Sequence, residues 1–407
     1  MMKKLGMIAF IMALVVAFAL PAFAYTVEGA KGERFTMGGT LAYDIGYINL
    51  DKNRSGIGTD VTKLFTGVDY WSNIMGTYTV GPASFTWVLY ANSDVLAYNK
   101  INNDSTTYGA TQYQNLRDYI AMDVWYGTYS FGNCTISAGK QSGSTVSFGM
   151  SQTLGYTPSG NGHVAGIAYG FVYDQKYPQL RFRQAVSKMF TYQISLVSTG
   201  TYAETVGTAT RQSYATFPMI AAKGIFNFGA VSLYPAVAYQ QVQWDGLASG
   251  YDSSMTAWLL RLPIMVVSGP FVGKFELTYG QNLGGGSQMA NMCSGESLWG
   301  GYWRNSSGKI LNANTFAGFF DLAFTFGKAT PHVYAGFTQS INKDRFTVGD
   351  NSNTRTIMGA NLWYTVTPNF KIIPEIYTSD LGKYPGLPYT VKLGADVVAG
   401  VQFNFGF

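Results

Sequence analysis

The sequence predicts an all-β protein, a transmembrane antiparallel β-barrel of about sixteen strands, and three observations predict it. From Tyr389 to Phe407 every second position is apolar: Tyr389, Val391, Leu393, Ala395, Val397, Ala399, Val401, Phe403, Phe405 and Phe407, with Lys392, Asp396, Gln402 and Asn404 between them. A period of two gives one greasy face and one wettable face. Ordinary strands run about five or six residues, whereas a strand crossing hydrocarbon needs about nine to eleven, and this run exceeds both. Composition is the second observation: 12% of residues are charged and 16% aromatic, with 48 glycines, where soluble domains carry about 25% charge to wet their surface. Third, beyond residue 24 no uninterrupted apolar segment is long enough to span as a helix. A chain that enters a membrane without helices must close its strands into a barrel, because lipid cannot satisfy main-chain polar groups.

The first element is read as a leader. Lys3 and Lys4 precede an apolar run from about Leu5 to Leu20, and Pro21 leads into Ala22-Phe23-Ala24, the A-x-A form of a cleavage site. Residues 1–24 are therefore expected to be a cleaved signal peptide and 25–407 a single barrel domain. Losing Lys3 and Lys4 lowers the formal charge of +5 by two, and the remaining excess is too small and dispersed for nucleic-acid binding.

Strands are expected at 34–49, 62–79, 84–97, 118–130, 134–141, 178–186, 190–199, 213–226, 230–243, 254–265, 271–281, 314–326, 331–341, 354–365, 369–378 and 388–407. Apolar faces are clear in the first (Leu41, Tyr43, Ile45, Tyr47), the fourth (Ile120, Met122, Val124, Tyr126), the seventh (Phe190, Tyr192, Ile194, Leu196) and the twelfth (Phe316, Phe320, Leu322, Phe324, Phe326). Their aromatics gather near strand ends, where an interfacial girdle belongs. Pro218 and Pro263 fall inside the eighth and tenth strands and remove ladder donors, so fourteen or eighteen strands stay open. Short connections at Gly81-Pro82, 131–133, 187–189, 227–229, 268–270, 327–331 and 367–369 carry turn residues. They alternate with long connections such as 98–117, 142–177 and 282–313. That is the pattern of tight periplasmic turns and large outer loops, and an even count puts both ends of the barrel on the periplasmic side.

Sixteen strands, a terminal phenylalanine and a long connection after the fifth strand together resemble the general porins of Gram-negative outer membranes, over the whole mature chain. The resemblance implies a passive, water-filled channel for small hydrophilic solutes, set in outer-membrane lipid and lipopolysaccharide, with three barrels forming a homotrimer. It implies that the loop Ser142 to Tyr177 folds into the bore and narrows it. Phe403, Phe405 and Phe407 likewise look like the signal read by the barrel assembly machinery. The acidic loop of the cation-selective members is missing here, for the loop offers only Asp174 beside Lys176 and His163. Residues 167–174 also alternate, so a short strand is an open alternative there.

The bore of such a barrel tolerates charge, and rings of charge bias a permeating ion. Because Leu180 and Phe182 are expected outside, Arg181 and Arg183 should point inward and form the basic side of the constriction, facing Asp174, with Lys176 and Asp123 nearby. Parity also places Arg34, Lys63, Lys274, Arg355, Lys371 and Lys392 inside, against Asp44, Asp69, Asp123, Glu276, Asp321, Glu375 and Asp396. These signs nearly cancel, so any modest anion preference must come from where the charges sit. The bland alternative is that both arginines pair with nearby acids and only stiffen the wall. Trp71, Trp125 and Trp363 are read as inward, as sugar-stacking faces or, more ordinarily, wall packing.

Catalysis, cofactors and metal are not expected. His163 and His332 show no carboxylate at useful spacing, and two histidines with two cysteines lie too scattered to ligate a metal. Gly284-Gly285-Gly286 lacks the lysine and helix of a phosphate loop. Cys134 and Cys293 are expected to be free thiols about one membrane thickness apart, since a disulfide needs Cα atoms within about 7 Å. Two readings other than an open general channel remain: a substrate-selective channel for anions or oligosaccharides, and a plugged adhesive or structural barrel. The small inward residues Gly38, Thr40, Gly46, Gly67, Thr191, Ser195 and Gly394 favour an open bore.

Overall fold

A computed structural model describes residues 25–30, 32–52, 59–68, 72–92, 119–154, 165–173, 176–198, 203–206, 209–284, 301–342, 351–380, 382–383, 392 and 394–407. Twenty-one hydrogen-bonded segments form one sheet. Three pairs of segments are single strands interrupted midway, and two segments are short extensions at the rims. The rest is a closed antiparallel barrel of sixteen strands.

In chain order these are β1 (Arg34–Leu50), β2 (Val61–Val68 and Asn73–Val80), β3 (Ala83–Asn92), β4 (Tyr119–Phe131), β5 (Cys134–Gln141), β6 (Tyr177–Ala185), β7 (Phe190–Val197) and β8 (Ala209–Ala215 and Met219–Phe228). The second half comprises β9 (Val231–Leu233 and Ala236–Trp244), β10 (Ser254–Ser268), β11 (Phe271–Gln281), β12 (Asn314–Phe324), β13 (Ala329–Ile341), β14 (Ser352–Thr367), β15 (Phe370–Asp380) and β16 (Ala395–Gly406). Neighbours in sequence pair throughout, and β1 closes the barrel on β16 from Thr40↔Gly406 to Asn49↔Val397. Below that seam Tyr25–Glu28 continues the pairing, Tyr25 opposite Met37, so the edge that β16 leaves unpaired is covered. The turns at Gly81, Gly132, Gly229, Gly269 and Gly327 all place glycine at positive φ, the left-handed backbone that tight hairpins need.

The two prolines behave differently. Pro218 interrupts β8 between Ala215 and Met219. Pro263 stays within β10, because β9 is itself broken at Tyr234-Pro235 beside it, and the Tyr234 amide donates to the Pro263 carbonyl at 2.9 Å. The missing donor thus falls where no partner strand requires it.

Two expectations need correction and one open alternative is decided. The last strand begins at Ala395, not 388. Gly394 has φ +76°, and a Cβ there would meet the Asp51 carboxyl carbon at 2.0 Å, while residues 388–391 lie outside the described residues. Second, pairing between β3 and β4 shifts at Val88/Leu89, so that Val88 faces Val124 and Leu89 faces Met122. This bulge reverses parity along the rest of β4, as an extra residue must. Trp125 is consequently outside and exposed, and Tyr129 and Phe131 continue that face, while Val124 and Tyr126 turn inward. The open alternative of a strand at 167–174 is decided for the loop, since residues 165–173 form turns with a single Ile167↔Phe171 bridge, with Ala165, Gly166, Ala168 and Gly170 all at positive φ.

The apolar packing of this barrel is inside it. Met150, Leu154, Ile167, Tyr169 and Phe171 from the connection after β5 cluster with Ile48, Leu50, Phe319, Tyr334, Ile357, Tyr377 and Val398 of the wall. Val172 joins a second cluster with Val197, Met219, Ala221, Leu259 and Leu283. At about 1.5–3 kcal/mol for each large side chain removed from water, the loop is held as firmly as a core. No helix among the described residues is long and apolar enough to cross a membrane.

Candidate pore and constriction

The connection after β5 runs around the inner wall and returns. On the outward pass, Ser142 to Leu154, wall side chains capture its carbonyls. Arg181 Nη2 donates to Ser142 O and, at 3.1 Å, to Gln179 Oε1. Gln193 Nε2 donates to Gly143 O at 2.9 Å, and Lys223 Nζ reaches Gly143 O and Val146 O, both at 3.1 Å. Lys274 Nζ follows on Gly149 O at 3.2 Å, then Asn361 on Ser151 O at 2.7 Å. At the far side Glu375 accepts from the Thr153 amide at 2.9 Å, the Thr153 hydroxyl at 3.0 Å and the Leu154 amide. Tyr334 Oη at 2.8 Å and Asn361 Nδ2 at 3.0 Å complete its shell. One carboxylate therefore anchors the end of the strap from β15.

The return pass is pinned by shape as well as by hydrogen bonds. Gly170 N donates to Thr338 Oγ1 at 2.8 Å, and a Cβ on Gly336 would sit 2.1 Å from Tyr169 O, so only glycine lets the loop backbone lie on β13. Arg261 Nη2 donates to Val172 O. The pass ends where Lys176 meets Asp123 and the Tyr90 hydroxyl at 3.4 Å, its ammonium 4.4 Å from the Tyr90 ring centre.

The candidate residues fall into distinct environments. Arg183 points inward between Thr135 and Gln193, is exposed, and has no partner among the described residues. Lys371 faces the bore over Trp363, 5.1 Å from the ring centre. Arg34, at the rim where the short turns lie, stands across from Glu28. Lys274 lies 3.5 Å from Asp321. Arg355 is buried with its guanidinium 6.0 Å from the Tyr169 ring. The acids Asp44, Glu276, Asp321, Glu375 and Asp396 are all buried. Asp44 accepts from Gln402 at 3.0 Å, Asp396 from the Asp51 amide at 3.1 Å, and Asp321 from the Ser151 hydroxyl at 3.2 Å. Lys392 lies before β16, bridged to Lys383 in the outer connection. Lys63 pairs through its backbone with Ile48; its side chain, Asp69, Trp71, His163, Asp174 and Cys293 lie outside the described residues. At the seam Phe405 stacks on Phe370 with 4.7 Å between centroids, and Phe407 exchanges two backbone hydrogen bonds with Gly39 at 2.7 and 3.0 Å.

Parity could have revealed two residues that sequence reasoning missed. Arg261 lies between outward Leu260 and Leu262, and Lys223 lies between Ala222 and Gly224 on the face opposite Ile220. A lone cation inside an otherwise apolar alternating run is the signal. Arg261 also lies 3.3 Å from Glu276, both side chains fully buried.

No protein-family model and no curated protein matches the chain. Solved structures do. Salmonella typhi OmpF, in a complex with daunomycin, aligns with a TM-score of 0.55 at 10% identity, covering 94% of this chain and 100% of its own. The anion-selective porin from Comamonas acidovorans gives 0.54 at 10% identity, with 92% and 100% covered. A loop L8 deletion mutant of OmpT, an outer membrane protein of Vibrio cholerae, gives 0.53 at 10% identity, with 92% and 99% covered. The fold is that of a porin-like barrel. At such identity the likeness speaks for architecture, and the chemistry must come from the residues above.

That chemistry includes one departure from expectation. His332 does have a carboxylate, since its Nδ1 lies 3.1 Å from Asp321 Oδ1. The Ser151 hydroxyl, however, bonds to that same Asp321 oxygen. A catalytic serine must instead give its proton to the imidazole, so the trio ties loop to wall. Cys134 is a free thiol, half-buried beside the turn at Asn133.

Proposed function

We propose that the protein is an outer-membrane porin of a Gram-negative cell, a channel through which small hydrophilic solutes and ions diffuse passively, with no chemical step. The observation that carries this reading is the loop after β5 lying inside a closed sixteen-stranded barrel, fastened to wall residues from Arg181 to Glu375. A loop so placed narrows a bore without requiring movement. In this reading Arg181, Arg183, Lys176 and Asp123 border the narrow zone, with Asp174 on the loop. Residues 1–24 direct export, Phe403, Phe405 and Phe407 present the assembly signal, and the mature barrels form a homotrimer in lipid and lipopolysaccharide.

The experiment is single-channel recording of the refolded mature protein in a planar bilayer. Stepwise, unblocked conductance supports the general channel, and saturable block by one solute supports a selective one. The apolar clusters under the loop favour a second reading, an occluded adhesive or structural barrel. A folded barrel that never conducts would establish it over the channel.

A further inference from the structure

The lumen charges that cancel in sequence do not cancel in space. Of the inward acids among the described residues, Glu276 and Asp321 have side chains at 0% and 1% exposure, and Asp44, Glu375 and Asp396 are buried with them. Glu276 is held by Arg261 and, at 3.2 Å, by the Thr278 hydroxyl, and the other four by the bonds to wall, loop or strand rim described above. Asp123, at 18%, is neutralised at contact by Lys176, and Glu28 stands opposite Arg34.

The cations are arranged the other way. Lys223 and Arg261 are buried against loop carbonyls, but Arg183 is exposed on β6 next to the periplasmic turn, and Lys371 is reachable at the periplasmic start of β15. Lys274, 26% exposed beside an Asp321 that is 1% exposed, turns only its positive end of the pair to water. The wall around Arg183 adds hydroxyls without charge: Ser84 and Thr128 bond to each other, as do Ser130 and Thr135 at 3.3 Å. A buried carboxylate paired with a cation or donor of the wall acts on a passing ion with its charge largely offset and across low-dielectric protein, whereas an exposed cation acts directly.

We infer that the channel prefers small anions, because the loop hides the wall carboxylates while Arg183, Lys371 and Lys274 stay in the water of the periplasmic half. This rests on the channel reading proposed above. The preference is a product of where the loop lies, since the wall by itself is nearly balanced.

The test is the reversal potential of the refolded mature protein in a potassium chloride gradient at low ionic strength, where screening is weak. Wild type should pass chloride over potassium. Arg183→Glu, a change of two unit charges, should lower the chloride-to-potassium permeability ratio by about tenfold, since one unit charge several ångströms away in water is worth about threefold, and Lys371→Gln should lower it less. Asp44→Asn, which removes one formal charge from the buried set, should move the ratio far less than Arg183→Glu, and heat-modifiable migration on gels confirms that each variant is a folded barrel. Conductance with potassium preference in wild type, or equal shifts from Asp44→Asn and Arg183→Glu, overturns the inference and leaves the channel standing. Absence of conductance from a folded wild-type barrel overturns the channel reading itself, and the inference falls with it.

Discussion

Two arcs of one barrel wall are built from the same alternating strands and end in opposite states. On the arc formed by β10 to β16 and β1, inward Arg261, Asp321, Tyr334 and Glu375 are buried against the loop, and Glu276 and Asp44 are buried in the same wall. On the arc from β3 to β6, inward Thr86, Thr128 and Thr135 are only half-buried, and Arg183 is exposed. What separates them is contact with the strap. The lesson is that an inward position in a barrel is a site for a core or for a channel according to what lies against it.

The largest test of this contrast is the buried ion pair. Glu276→Ala should destabilise the folded barrel by about 3–5 kcal/mol, because Arg261 is left charged without its partner, and Arg261→Met combined with Glu276→Leu should recover most of the loss. Unfolding by denaturant in detergent or lipid reads both. Glu375→Ala comes next. It strips the Thr153 and Leu154 amides and the Tyr334 hydroxyl of their acceptor, each at about 1–3 kcal/mol. The loop should work loose, and single-channel current should rise and become noisier. An unchanged current trace would mean that the loop does not narrow the path.

Gly336→Ala should cost about 1–3 kcal/mol by overpacking, since its Cβ would meet Tyr169 O at 2.1 Å. On the opposite arc Thr128→Ala should stay within about 0.5 kcal/mol of wild type; a larger loss would show that the open arc is also packed. The smallest effect on the barrel belongs to the outer cap, where Lys309 pairs with Asp252 at 3.0 Å and Trp244, Tyr302 and Ile310 pack together. The Ile310 amide, then Lys309, hold the Asp252 carboxyl below the usual carboxylate range. A depressed pKa stabilises docking above the ordinary range and loses that contribution as pH falls through the lowered value. The cap should therefore resist pepsin until pH drops below the ordinary carboxylate range, while Asp252→Asn should be cut near 303–311 earlier and leave barrel unfolding unchanged.

The wall was legible because side chains alternate with a period fixed by the strand itself. All sixteen predicted strands exist, and the turns were marked by glycine at 81, 132, 229, 269 and 327. The same reasoning misread the half of β4 beyond its bulge, since an inserted residue reverses every later side chain without changing composition. In the site, parity put Arg183, Lys371 and Glu375 inside but gave no hint that one would be bare and another would bind two loop amides. Arg181, read as part of a filter, holds a loop carbonyl; Arg261 and Lys223, passed over, do the same.

What the sequence by itself determined is therefore the barrel wall: the place and order of its strands, the glycine turns between them and, apart from the bulge, which face of each strand points outward, while the count stayed open until the structure closed it at sixteen. These follow from short-range geometry, a two-residue repeat and left-handed turns, that each segment carries alone. Only the tertiary structure decided which lumen charges face water. That depends on a loop whose backbone amides and carbonyls find partners more than a hundred residues away, such as Thr153 on Glu375 and Gly149 on Lys274. Burial of a charge is a property of everything around it, and no local pattern encodes it.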